Sequence, residues 1–408
     1  MKILNFTLLF LSFINLYGQQ TKFYDIPIFD GNKMLTMKQS NTLVQSSSRL
    51  MTSFLITDNQ KKDGLTNVGL FVLNGILLHP ISHEEGHRSV LTELNVGAVS
   101  QPIFDKHGVA KVIGVSDFTL KNLRDNDLPN YIRLHTAGLE SDFAYLNSLN
   151  SKLSFEEENH KYVKMDLFAR NVGVASYYLT SFINRKFSLN ENEIPELERD
   201  IVGHDIWGMI RHIHRPNMEF HRYTTWNELT DEEKKYANKT AIFSLINLAN
   251  PNLFNINNFK LKNGNKIGFN IGYSLSPFGD YFAENIYYHD LKKGIKLNPY
   301  FIQYFNKNNF FFGTGIKLHN YTINNKFLLN SSLDVWNQPK DLSFTNSKGE
   351  YGIGGNINVA YNIFKFENSN KSFYANFGVS YKTKGFVPET PSLKEDFRIS
   401  SGIIYAIN

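Results

Sequence analysis

The sequence predicts an α+β chain in two parts: a mostly helical domain over residues 66–255, then an eight-stranded antiparallel β-barrel over 256–408. Three observations carry this. Apolar residues recur at helical spacing through the first part, as in Ile132, His135, Leu139, Phe143 and Leu146. From residue 265 onward the period changes to two, in runs of about ten residues separated by short Asn-, Lys-, Gly- and Asp-rich connectors. There are no cysteines, and the chain opens with a secretory-type leader, so neither part is built on disulfides.

The leader is MKILNFTLLFLSFINLYGQQ, in which Lys2 precedes an apolar run to Leu16 and the small Gly18. This reads as a signal peptide over 1–18, cleaved before Gln19, and it implies export. Residues 19–65 are polar and mixed, and read as an N-terminal arm with a short helix through Leu50 to Ile56. Val68 to Leu78 is apolar but short, with Asn74 inside and Pro80 just beyond, which favours a buried core helix over a membrane span. Ala98–Ile103 and Val109–Val115 read as a β-hairpin around Asp105-Lys106-His107-Gly108. Helices are expected from Leu128 to about Leu149, from Val163 to Ile183, within Asp200 to Pro216, and from Tyr236 to Leu248, with a charged linker at Asn190 to Arg199.

Eight strands are expected in the second part. They are Ile267–Leu275, Tyr281–Tyr288, Ile295–Phe305, Phe310–Ile323, Phe327–Trp336, Tyr351–Ile363, Phe373–Lys382 and Phe397–Ile407. One face is small and polar (Gly268, Asn270, Gly272, Ser274) and the other carries Ile, Phe, Val and Tyr. Their length and this alternation are similar to those of eight-stranded outer-membrane barrels, with the apolar face toward lipid. A soluble sandwich, with the apolar face turned inward, is the alternative. The net charge of +5 is spread along the chain without a basic block, so nothing points to nucleic acid.

The chemistry concentrates in Ser82 to Leu94, SHEEGHRSVLTEL, which contains His83-Glu84-Glu85-Gly86-His87. On a helix the two histidines lie on one face and can direct imidazole nitrogens at one point. Ser82 and Glu85 form an S-x-x-E box that would start this helix at His83. The motif resembles the H-E-x-x-H of zinc metallopeptidases, which implies a zincin-like domain with Zn²⁺ on His83 and His87 and Glu84 as general base for a metal-bound water. Without cysteine, the third ligand must be a histidine or a carboxylate. Candidates are Glu140, Asp142, Asp200, His204 and Asp205. In gluzincins the third ligand is a downstream helical Glu, and by that resemblance Glu140, 53 residues past His87 on an apolar helix, is the choice. A second resemblance, over about 50 residues, is to site-2-protease-type membrane metallopeptidases, in which an apolar helix with H-E-x-G-H leads into a hairpin. Their later Asp ligand falls where this chain has Asn250-Pro251-Asn252.

Ten of the twelve histidines precede residue 260. His204 and Asp205 are candidates to orient a ligand imidazole, and Arg211, His212 and His214 to bind substrate. His79 and His135 read as capped or core histidines, not ligands. The expected function is an exported zinc metallopeptidase acting on peptide or protein, anchored by its barrel in the outer membrane. The alternatives are a non-enzymatic outer-membrane structural or binding protein whose helix only mimics the motif, and a metal-dependent hydrolase of a lipid or cell-wall amide.

Overall fold

The computed structural model describes residues 21–33, 35–57, 60–104, 110–183, 194–324, 326–366 and 371–407. The expected signal peptide, the hairpin turn at Asp105 to Gly108 and the first part of the charged linker lie outside these residues. The chain begins with strand β1 (Lys22–Asp30) and helix α1 (Met37–Leu55). Helix α2 (Gln60–Leu73) runs through a π-helical turn (Asn74–Leu78) into α3 (His79–Glu93). The hairpin β2 (Val99–Gln101) and β3 (Lys111–Ile113) follows, then α4 (Asp117–Asn126), α5 (Leu128–Ser154), α6 (His160–Ile183), α7 (Asp205–His214) and α8 (Asp231–Ser244). The remaining strands are β4 (Phe259–Lys260), β5 (Lys266–Ser276), β6 (Gly279–Asp290), β7 (Ile295–Phe305), β8 (Phe310–Ile323), β9 (Phe327–Pro339), β10 (Gly349–Lys365), β11 (Lys371–Lys382) and β12 (Asp396–Ile407).

Helix α5 is the axis of the molecule. Asp127 caps it by accepting from the Asn130 amide, and Pro129 sits in its first turn, where its missing N–H costs nothing. Its first half packs on α3 and α7, and Trp207, Ile206 and Ile210 of α7 join Ile132 and Leu139 in one core. Its second half lies along the concave face of the sheet, where Phe143 meets Phe278, Tyr281, Ile302 and Phe386. Gly272 of β5 faces the Phe143 ring so closely that a Cβ would stand 2.6 Å from it. The small residues of that strand face are what let helix and sheet approach.

The eight alternating runs do become strands, β5 to β12, but they do not form an eight-stranded barrel. They belong to a ten-stranded antiparallel sheet in the order β1-β12-β11-β10-β9-β8-β7-β6-β5-β4, which is not closed into a barrel. β1, from the N-terminal arm, pairs with β12 along nearly its whole length, so the arm is part of the sheet. The two sides of the opening are occupied by the helical part instead. On β5, both backbone groups of Tyr273 are taken by the Asn247 side chain, at 2.7 and 3.0 Å. On β1, the Asp25 amide donates to Ser46 of α1, and Phe23 O accepts from Arg49. Period two reports which face of a strand is apolar, not whether the first strand meets the last.

Two local expectations also change. The motif helix does not start at a Ser82 box: it is continuous with α2, and Ser82 Oγ donates back to the His79 carbonyl inside the helix. Pro80 has no N–H to offer the preceding turn, and the π-helical turn just upstream accommodates it. The apolar segment expected as a buried core helix instead leaves Val68, Val72 and Ile76 exposed, in line with Leu65 just before it.

Candidate metal centre

Helices α3 and α5 cross where both are reduced to small residues. A Cβ on Gly86 would lie 2.5 Å from Ala137 O, and one on Gly138 would lie 2.3 Å from His83 Nε2 and 2.5 Å from His87 Nε2. Only hydrogen fits at Gly138, so the two imidazoles of α3 sit directly against the α5 backbone. Four-residue spacing puts their rings side by side, with centroids 5.1 Å apart.

Each ring has one nitrogen already engaged. His83 Nδ1 is 2.8 Å from Asp142 Oδ2 of α5, and His87 Nδ1 is 2.7 Å from the Leu134 carbonyl. A carboxylate and a carbonyl both demand an N–H there, which leaves the lone pairs on the two Nε2 atoms. Those atoms converge on a third group, Asp205 Oδ2, at 3.2 and 3.3 Å. Asp205 is the first residue of α7, and its amide donates to Tyr177 Oη of α6. Its Oδ2 is buried and has no hydrogen-bond partner of good geometry among the described residues. A buried carboxylate oxygen without a donor, facing two imidazole lone pairs, is an arrangement that a cation completes. His83, His87 and Asp205 form a buried cluster that could hold a metal ion.

The surroundings are strongly acidic. Burial would lower both imidazoles and raise the Asp205 carboxyl, but when the imidazoles carry a proton on Nε2 their pairing with Asp205 reverses both shifts: His87 rises to about 8 and Asp205 falls below its usual range. Asp142 is likewise raised by burial and lowered further by His79 and His83. Its Oδ1 accepts from Arg170 at 2.8 Å and its Oδ2 also lies 2.9 Å from His79 Nε2. Asp142 and His79 make a second grouping with His83. Since Arg170 and both imidazoles already satisfy that carboxylate, its part is to orient His83. Asp200, pushed up to about 6 by burial, faces His87 and Asp205 and is tied to the Val112 and Gly203 amides. Glu84 is buried next to this group, near enough for its charge to act on both imidazoles.

The other sequence candidates lie as follows. Glu140, two residues past Gly138 and so on the opposite side of α5, is held by Arg133 through Nε at 3.0 Å and Nη2 at 2.6 Å. It also accepts from the Glu389 amide of the β11–β12 loop. It is not part of the cluster; the carboxylate beside the imidazoles is Asp205. His204 caps α7, lying flat on Trp207 with centroids 3.9 Å apart and its Nε2 2.9 Å from Thr180 Oγ1. Arg211 is buried and clamps the Met218–Thr224 segment through the Tyr223 and Glu219 carbonyls and Thr224 Oγ1. His212 stacks on His135, buried, and His214 bonds to the Ile210 carbonyl one turn back and packs on Phe344. Neither His212 nor His214 belongs to the cluster, and Arg211 is engaged elsewhere. Asn250 bonds Asn150 and starts the turn at Pro251, a structural role. Sequence reasoning gave no part to Tyr177, whose ring lies 5.8 Å from that of His83, nor to Arg170; helical periodicity alone carries no signal for either. No protein-family model, curated protein or solved structure matches this chain, so the geometry of the cluster stands as the ground for a functional reading.

Proposed function

We propose that the chain is a metal-dependent hydrolase of peptide amides, with Zn²⁺ held by His83, His87 and Asp205. The observation that carries this is the convergence of His83 Nε2, His87 Nε2 and the donorless Asp205 Oδ2, with both Nδ1 atoms committed elsewhere. Two imidazoles and one carboxylate suit zinc, and three protein ligands leave a position for water. Bound zinc supplies an acidified water and polarises a carbonyl. Glu84, adjoining His83 on the same helix, takes the proton of the attacking water and passes it toward the leaving amine. Asp142 and the Leu134 carbonyl keep the two rings in register, and Tyr177 fixes the start of α7 that presents Asp205.

Hydrolysis of a mixed peptide library by the purified full-length chain is the test. Activity should disappear on treatment with a strong chelator and return when Zn²⁺ is added back. Activity that survives complete removal of metal would contradict the proposal.

A further inference from the structure

The outer face of the sheet is the reverse of a soluble one. Its concave side carries polar groups that meet the helical part, such as Lys296 on Glu157, in the turn between α5 and α6, and Asn320 on the same carboxylate. Its convex side is apolar and exposed. One row crosses five strands, from Ile316 through Leu333, Gly355 and Tyr381 to Phe397. Beside it run Ile357–Val379–Ile399 and Leu329–Val359–Phe377. Phe377 is 63% exposed, Ile357 59% and Ile399 53%. At the alternate positions Phe310–Leu318, Phe327–Val335, Tyr351–Tyr361, Phe373–Tyr381 and Phe397–Ile403, the convex face carries no Asp, Glu, Lys or Arg. A water-facing antiparallel sheet is polar on that side, and single charges normally guard it against aggregation.

From these observations we infer that the convex face of β8–β12 is embedded in the acyl chains of a lipid bilayer. The dimensions argue for lipid. Tyr351 to Tyr361 of β10 spans about 33 Å at about 3.3 Å per residue, or about 25 Å when tilted, the height of a bilayer's apolar band. Aromatic residues stand at its ends: Tyr351 and Tyr361 on β10, Phe373 and Tyr381 on β11. A second copy of the chain would cover one bounded patch with a polar rim, about 800 Å² per partner. Here a second exposed apolar face lies on the helical part, where Leu65, Val68, Val72 and Ile76 share one face of α2 and its π turn. The segment Lys62–Glu93 is also long and apolar enough to cross a membrane by length and composition, and little of its most apolar part is buried. A solvent that surrounds the molecule fits both faces. The open sides of the sheet are compatible with it, because Asn247 on one and Ser46 and Arg49 on the other satisfy backbone groups that lipid cannot.

The test uses the full-length chain carrying Phe377→Trp, a conservative exchange at mid-band, mixed with phosphatidylcholine vesicles with or without brominated acyl chains. Native Trp207, Trp226 and Trp336 are buried and supply the background. The protein should float with the vesicles, and the emission added by the substitution should be largely lost in the brominated ones. Protein that stays soluble and monomeric without detergent and does not float would overturn the inference. So would flotation without quenching, which places another surface against lipid, or concentration-dependent dimers that hide the new Trp from bromine.

Discussion

Glu84→Gln is expected to lower peptide turnover by about 10²–10⁴-fold while leaving metal content unchanged. The exchange keeps the shape of a buried side chain and removes only its ability to accept a proton. Glu84 supplies no atom to the His83, His87 and Asp205 cluster, so that cluster should survive. A residue that merely packed there would tolerate the amide, and a metal ligand would lose the ion. Turnover against metal content, measured on one preparation, therefore separates three roles. Unchanged turnover would remove Glu84 from the chemistry.

The second large effect is on stability. Arg133→Ala should destabilise the chain by about 3–5 kcal/mol, because it strands a buried carboxylate. Arg133 and Glu140 are both essentially inaccessible to solvent, at 1% and 0% exposure of their side chains. The guanidinium also donates to the Thr390 and Pro391 carbonyls, 2.7 Å each, and so ties the β11–β12 loop to α5. Replacing both partners by apolar residues of similar volume should cost much less, since no charge is then left alone. Denaturant midpoints of the single and double variants check this. A single variant as stable as the wild type would mean that the pair is solvated in solution.

The helices and strands with an apolar stripe were legible from the sequence: α5, α6 and all of β5 to β12 lie close to where period 3.6 or period two puts them. α1 was not, because its buried face is polar. Asn41 and Gln45 donate to the Ser141 and Tyr145 carbonyls of α5, and Arg49 pairs with Glu158, while the apolar Leu43, Val44, Leu50, Met51, Phe54 and Leu55 lie on the less buried side, so hydropathy does not mark the face that packs. The Thr36–Gln39 capping box marks its true start, well before the expected Leu50. Closure of the sheet was not legible either, since it depends on what Asn247, Ser46 and Arg49 bind, far from the strands in sequence.

At the candidate site, the His83 and His87 pair follows from local helical spacing alone. The third partner depends on which of several acids folds back, and a lone Glu on an apolar helix was the reasonable choice. One signal against Glu140 was available: Arg133 lies seven residues earlier, two turns away on the same face, where it can claim the carboxylate. Asp205 had a weaker mark, a helix start after the positive-φ Gly203. Placing it at Nε2 takes the packing of α7 on α5, which no local pattern encodes.

The most direct measurement is metal content of purified full-length protein by plasma emission. The wild type should hold about one zinc per chain. His83→Ala and Asp205→Ala should lose it, and Glu140→Gln should keep it. Wild-type protein with no more zinc than His83→Ala, or an Asp205→Ala variant that retains the ion, would contradict the centre described.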